Sequence, residues 1–161
     1  EQADLIIEGT DWLMHRLTGE WAASLNNVTC KWNYASVDGG WPTALLAQLD
    51  LSELVDKWPS TVLPMGEKAG LLTATAAAEL GLPVGIPVAQ GGIDAYAAML
   101  GLAVVRPGRL ALVMGTSTCP LALMSEGIFE SHLWGPYPDA LIPGTWVLEG
   151  GQTATGAIVS E

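Results

Sequence analysis

Four short stretches carry side chains of types that do chemistry. In Gly91-Gly92-Ile93-Asp94-Ala95 a carboxylate follows an apolar run and two glycines. Such a carboxylate can orient a substrate hydroxyl and accept its proton as a phosphate bond forms. The glycines let a ligand approach the backbone. An aspartate that caps a helix gives the same local pattern. Gly115-Thr116-Ser117-Thr118 is a small turn whose backbone N–H groups and hydroxyls could cradle an anion. It reads equally as an ordinary hairpin turn. Glu149-Gly150-Gly151-Gln152-Thr153 sets a carboxylate and an amide at one turn, where Glu149 and Gln152 could hold neighbouring sugar hydroxyls. A glycine-rich turn before a helix cap is the plainer reading. Lys31, in Thr29-Cys30-Lys31-Trp32-Asn33-Tyr34, could donate to a sugar oxygen with Trp32 as a stacking wall. It could also be a lysine that snorkels from a strand edge.

The elements that must position these groups follow from periodicity and punctuation. Residues 4–18 read as a helix closed by Gly19. Trp21 to Leu25 reads as extended, and Asn26-Asn27 as a turn. Helical turns are expected from Pro42 to Leu49 and from Leu51 to Trp58. Thr73 caps a helix that ends at Leu80, before Gly81. Pro87 to Gln90 reads as a buried strand, and Asp94 to Leu102 as a helix. This strand, two glycines and an acid at a helix start would gather unpaired backbone N–H groups at one place. Leu110–Met114 and Cys119–Met124 form a hairpin with Gly115, Thr116 and Ser117 at its tip. Trp134 to Pro143 reads as a loop, Trp146 to Leu148 as a strand, and a helix opens at Thr153. A domain boundary is expected at 103–108.

Composition excludes several classes. Among 161 residues there are 17 acids against 6 bases, for a net charge of −11. A phosphate-backbone binder needs clustered Lys and Arg, so no nucleic acid is expected as a partner. Anionic membranes are disfavoured for the same reason, and no apolar run approaches the about 20 residues of a membrane helix. A cytoplasmic location is expected. Cys30 and Cys119 lack disulfide-framework or zinc spacing and read as buried thiols. His15 and His132 have no partner at metal or triad spacing, so no metal ligand set is assigned. Charged residues are 14%, against about 25% in ordinary soluble domains. The expectation is a piece of a larger protein, with apolar faces meant for other parts.

Taken together, the order and spacing of the motifs resemble the FGGY carbohydrate kinases. Asp11-Trp12-Leu13-Met14-His15-Arg16-Leu17-Thr18-Gly19-Glu20 is similar to that family's D-x-L-x-x-x-L-T-G-E helix. Gly81-Leu82-Pro83-Val84-Gly85-Ile86-Pro87-Val88, with Gly91 to Ala95 after it, resembles its G-L-x-x-G-x-P-V and G-x-x-D-A segments. Gly115-Thr116-Ser117 and Glu149-Gly150-Gly151-Gln152 resemble its phosphate turn and its E-x-G-Q turn. The likeness runs over essentially the whole chain.

The resemblance implies an α/β fold of the actin-like ATPase, ribonuclease H-like type, present in part. Residues 1–104 would be the last part of the N-terminal sugar-binding domain, and 105–161 the start of the C-terminal nucleotide-binding domain. It implies transfer of the γ-phosphate of ATP, with Mg2+, to a sugar or polyol hydroxyl. Asp94 would be the catalytic base. Gly115, Thr116 and Ser117 would face the phosphates, and Lys31 and Glu149 the ketose. The Asn26-to-Tyr34 stretch and Gly135-Pro136-Tyr137-Pro138-Asp139-Ala140 resemble the ribulokinase group, so D-ribulose is the first choice of substrate. Xylulose, L-ribulose and pentitols remain alternatives. Tyr96, Ala98 and Pro120 depart from the family pattern and bear on which sugar is used. Family members carry a D-x-G-T phosphate loop before this region and an adenosine-binding glycine motif after it. The 161 residues alone are therefore expected to be inactive. A non-catalytic sugar-binding or regulatory module, and a homodimer that buries apolar faces, are the competing readings.

Overall fold

The computed structural model describes residues 3–156, and the chain divides into two units, Glu1–Gly92 and Ile93–Glu161. Each has its own hydrogen-bond network.

In the first unit, helix α1 (Gly9–Thr18) ends where Gly19 turns left-handed at φ 79° and its N–H returns to the His15 carbonyl. Glycine tolerates that turn without a Cβ clash. The helix is shorter than the expected 4–18 because Ile6 N–H donates to the Lys57 carbonyl instead. Strand β1 (Ala23–Ser24) pairs in parallel with β2 (Val62–Leu63). Helix α2 (Leu25–Lys31) contains Asn26 and Asn27, both buried, where a turn was expected. Asparagine weakens a helix only slightly, and tertiary burial overrides its turn preference. Two 3-10 segments, Ser36–Asp38 and Ser52–Lys57, flank helix α3 (Thr43–Gln48).

Strand β3 (Lys68–Leu71) runs antiparallel to β4 (Pro87–Ala89). Between them, helix α4 (Ala74–Leu80) opens on Thr73, whose hydroxyl accepts from the Ala76 N–H at 3.3 Å, and closes on left-handed Gly81. Leu72, Ala76 and Ala77 form a small core with Leu17, Ile86 and Val88 packed against it. Strand β4 was expected to be buried, yet Pro87 and Ala89 are exposed and only Val88 is half-buried. An antiparallel pair needs only one covered face, and the apolar run does not reveal that.

The second unit begins with helix α5 (Asp94–Gly101), which buries Tyr96 and Met99. A four-stranded antiparallel sheet follows, made of β5 (Arg109–Met114), β6 (Thr118–Met124), β7 (Trp134–Pro138) and β8 (Trp146–Glu149), in the order β5-β6-β8-β7. Leu121, Leu123 and Val147 are wholly buried at its centre. Alternation along β5 buries Ala111 and leaves Leu110, Leu112 and Met114 exposed. Residues 134–138 form a strand where a loop was expected. Pro136 and Pro138 are tolerated because β7 lies at the sheet edge, where a missing N–H costs no ladder bond. The helix expected from Thr153 lies largely outside the described residues. Among the described residues no helix is long and apolar enough to cross a membrane.

Candidate functional site

The sites of the two units are built separately. In the first unit, Lys31 and Trp32 stand at the C-terminal end of α2, so the lysine occupies a helix end and not the strand edge considered from sequence. Both are captured by one carboxylate. Glu8 Oε2 accepts from Lys31 Nζ at 3.0 Å, and Glu8 Oε1 accepts from Trp32 Nε1 at 2.6 Å. The Trp32 ring meets Trp58 edge-on at 5.1 Å; Trp58 lies 4.4 Å from Trp41, and Trp41 5.0 Å from Tyr34. Such contacts suit aromatic quadrupoles. Beside this wall lies a cavity of about 340 Å³, lined by Lys31, Trp32, Pro42, Leu46 and Trp58 among others. Burial pushes the Glu8 carboxyl up, but the Trp32 N–H and the Lys31 ammonium outweigh it and hold it below its ordinary 4.5. The folded state therefore keeps the charge to lower pH than the unfolded chain does. Stability from this clamp is complete above pH 4.5 and lost as pH falls through the lowered value. The urea-midpoint difference between native protein and Glu8→Gln should shrink between about pH 7 and about pH 3.5. A constant difference would remove the clamp from the account.

Glu8 was not legible as functional in the sequence. It precedes α1 at the N-cap position, and only the fold brings it to residues 31 and 32. The same holds for Asp11, the acid of the first helix motif. Its Oδ1 accepts from the Ser24 N–H at 2.8 Å and from Gln90 Nε2 at 3.1 Å, while Ser24 Oγ donates to the Gly91 carbonyl at 2.7 Å. These bonds tie α1 and β1 to the chain just after β4. Gly92 is needed there, because a Cβ would lie 2.7 Å from Met65 Cγ and 2.8 Å from Asn26 Oδ1.

In the second unit, Asp94 is the first residue of α5 and is exposed, with its Oδ1 accepting from the Ala95 N–H at 2.8 Å. The cap position itself is Ile93, so Asp94 is a first-turn acid and not the helix cap. The hairpin tip and the Glu149 turn lie side by side. Leu121 pairs with Glu149, Gly150 N–H donates to the Pro120 carbonyl, and Thr118 and Gln152 exchange backbone bonds at 2.8 and 2.9 Å. Gly156 N–H then reaches the Thr116 carbonyl at 3.1 Å. A Cβ on Gly156 would strike the Gly115 carbonyl oxygen, so glycine permits this closeness. Gly115 N–H folds back to the Ser117 carbonyl at 2.7 Å. Among the described residues the Thr116 and Ser117 N–H groups meet no backbone acceptor, and all three residues are exposed. Free N–H groups and hydroxyls on an exposed turn fit a phosphate.

Cys119 and Trp134 join this arrangement. Cys119 Sγ lies 3.2 Å from Glu149 Oε1. Burial pushes the thiol up to about 12, helped by the Glu149 hydrogen bond and the charges of Glu149 and Asp94. The thiol is half-buried and takes part in no disulfide among the described residues, and Cys30 is likewise half-buried and outside any disulfide there. Trp134 pairs with Glu149 across the β7–β8 ladder and covers Gly151, where a Cβ would come within 2.6 Å of the indole. Among the described residues no group of three or more His, Cys, Asp or Glu could hold a metal ion.

Comparison with known proteins accounts for this layout. The family models "FGGY family of carbohydrate kinases, N-terminal domain" and "C-terminal domain" match residues 1–101 and 110–160. An FGGY carbohydrate kinase domain-containing protein of Xenopus laevis is 39% identical over 92% of this chain and 30% of its own length. A ribulokinase of Geobacillus thermodenitrificans is 37% identical over 98% of this chain and 28% of its own. A crystal structure of xylulose kinase from Rhodospirillum rubrum superposes with a TM-score of 0.80 at 26% identity, covering 98% of this chain and 31% of that one. The chain thus spans less than a third of the length of these relatives. With both halves matched by the two domain models and the actin-like fold shared with solved sugar kinases, the chain belongs to the FGGY family of carbohydrate kinases.

Proposed function

We propose that this chain is the central segment of an ATP-dependent kinase that phosphorylates a ketopentose, D-ribulose first, with Asp94 as the base. The reading is carried by one observation: the Glu149–Gln152 turn and the Gly115–Ser117 turn are joined by backbone bonds along one sheet. Acceptors for sugar hydroxyls then stand beside donors for a phosphate. Domain organisation follows the same reading, with 1–104 in the sugar-binding domain and 105–161 opening the nucleotide-binding one. The spans of the two family models support it. The ribulokinase of Geobacillus thermodenitrificans supports ribulose as the sugar.

ATP with Mg2+ supplies the transferable phosphoryl group and neutralises its charge. The protein residues supply position. Thr116 and Ser117 would hold phosphate oxygens through backbone N–H and hydroxyl donors. Mg2+ would be held chiefly through those phosphates and water, as is usual for this ion, since no protein cluster of three ligands is present among the described residues. Glu149 and Gln152 of the second unit would hold sugar hydroxyls; Lys31 of the first unit, with Trp32 beside it, would donate to a sugar oxygen. Asp94 would accept the proton of the attacking hydroxyl, a positioned proton transfer worth about 10²–10⁴ in rate.

Phosphoryl transfer depends on positioning and charge stabilisation, and this chain holds part of each. ATP consumption by the intact protein is expected to rise with one ketopentose in a panel of D-ribulose, L-ribulose, xylulose and pentitols. The 161 residues alone should show no sugar-dependent turnover. If the intact protein turns over ATP with none of the panel yet binds a sugar, the non-catalytic module replaces the kinase reading. Robust turnover by the 161 residues would overturn the division of labour.

A further inference from the structure

We propose that Cys119 is a positioning residue for Glu149: its thiol donates a hydrogen bond that fixes the carboxylate in the rotamer used to bind the sugar. The inference rests on the reading of Glu149 as a sugar contact. It begins with register. Leu121 on β6 is directly opposite Glu149 on β8, and Cys119 lies two residues from Leu121. Side chains two apart along a strand share a face, so Cys119 is the diagonal neighbour of Glu149 on the same side of the sheet. Diagonal pairs lie within reach of longer side chains, and the Sγ to Oε1 distance of 3.2 Å shows that this pair meets.

The chemistry favours a donor of this kind. An ionised carboxylate only accepts hydrogen bonds. Glu149 has freedom in three side-chain torsions, and a binding carboxylate must be held in one of them before the sugar arrives. Among the described residues, Cys119 is the partner of its side chain. Held by one oxygen, the carboxylate keeps the other for a ligand. The thiol stays protonated at neutral pH, with burial the main cause, so it remains a donor. Backbone bonds support the geometry from both sides, since Gly150 N–H is tied to the Pro120 carbonyl at 2.9 Å. That bond holds the strand bearing Glu149 next to the residue that follows Cys119.

The test uses the intact protein, with D-ribulose or whichever ketopentose it turns over, and three single variants. Cys119→Val fills the site without a donor. Cys119→Ser keeps a donor, and Glu149→Gln removes the charge. The expected result is a rise in sugar KM of about three- to tenfold for Cys119→Val, with ATP KM unchanged and kcat within about twofold. Cys119→Ser should recover at least half of that loss. Thermal unfolding of each variant separates folding from binding. If Glu149→Gln leaves sugar KM unchanged, the reading of Glu149 as a sugar contact fails. If Glu149→Gln raises KM while Cys119→Val does not, that reading stands and the positioning role is wrong. If serine is no better than valine, the cysteine only fills space, and the proposal is overturned as well.

Discussion

Asp94→Asn in the intact protein should lower sugar-dependent ATP turnover by about 10²–10⁴ while leaving the sugar and nucleotide bound. The substitution is close to the least disturbing one available. An asparagine can still accept the Ala95 N–H through its amide oxygen, as Asp94 Oδ1 does at 2.8 Å. Asp94 is exposed and is not the cap of α5, so no buried bond is broken. What the fold loses is a negative charge in the first turn of a helix, worth about 0.3–1 kcal/mol. On the proposed assignment of Asp94 as the base, what the reaction loses is the group that takes the hydroxyl proton. Steady-state turnover beside a thermal unfolding curve checks both halves. Activity within about tenfold of native, with the fold intact, would assign the residue to helix stability alone.

The second large effect lies in the first unit and concerns stability. Asp11→Ala should destabilise the protein by about 3 kcal/mol, or prevent soluble expression. Asp11 is 1% exposed and Gln90 2%, so the donors that lose their acceptor cannot turn to water. Ser24 N–H and Gln90 Nε2 would both be stranded. Gln90 Oε1 already meets no partner among the described residues, so alanine at position 11 would leave the whole amide unsatisfied. Pairing also has a pH dependence. Burial pushes the Asp11 carboxyl above its ordinary 3.8, and the hydrogen bonds from Ser24 and Gln90 only partly offset this. The folded state thus holds the proton to higher pH than the unfolded chain. The contribution of Asp11 is greatest below pH 3.8 and declines as pH rises through the raised value. Urea unfolding should show a larger cost of Asp11→Ala at about pH 4 than at about pH 7. A cost that grows with pH would mean that the ionised form is the favoured one, and an unchanged midpoint would remove Asp11 from the structural account.

Much of this was legible along the chain, because local rules carried it. Thr73 and Gly81 bracket α4 through a hydroxyl that meets Ala76 N–H and a left-handed turn; both depend on residues within one turn of the helix. The β5–β6 hairpin follows from two apolar runs around Gly115-Thr116-Ser117. Helix α5 begins at the acid the sequence pointed to, Asp94. Motif order and spacing also carried the family, since the two family models match residues 1–101 and 110–160, the spans that hold those motifs.

Tertiary structure decided the partners. Nothing near Glu8 in the sequence says that its carboxylate will hold Lys31 and Trp32, 23 and 24 residues away. Asp11 meets Gln90 across 79 residues, and Cys119 meets Glu149 across 30. Strand register sets the last pair, and register depends on the sheet as a whole. Asn26 and Asn27 were misread for the related reason that burial outweighs a weak local preference. Trp134-Gly135-Pro136-Tyr137-Pro138 looked like a loop because proline cannot donate, and only a place at the sheet edge makes it a strand. Sequence by itself determined which groups are present and their order along the chain, because local propensity and motif chemistry act within a few residues. Their pairing waited for the fold, because hydrogen bonds and burial act through distances in space that chain separation does not encode.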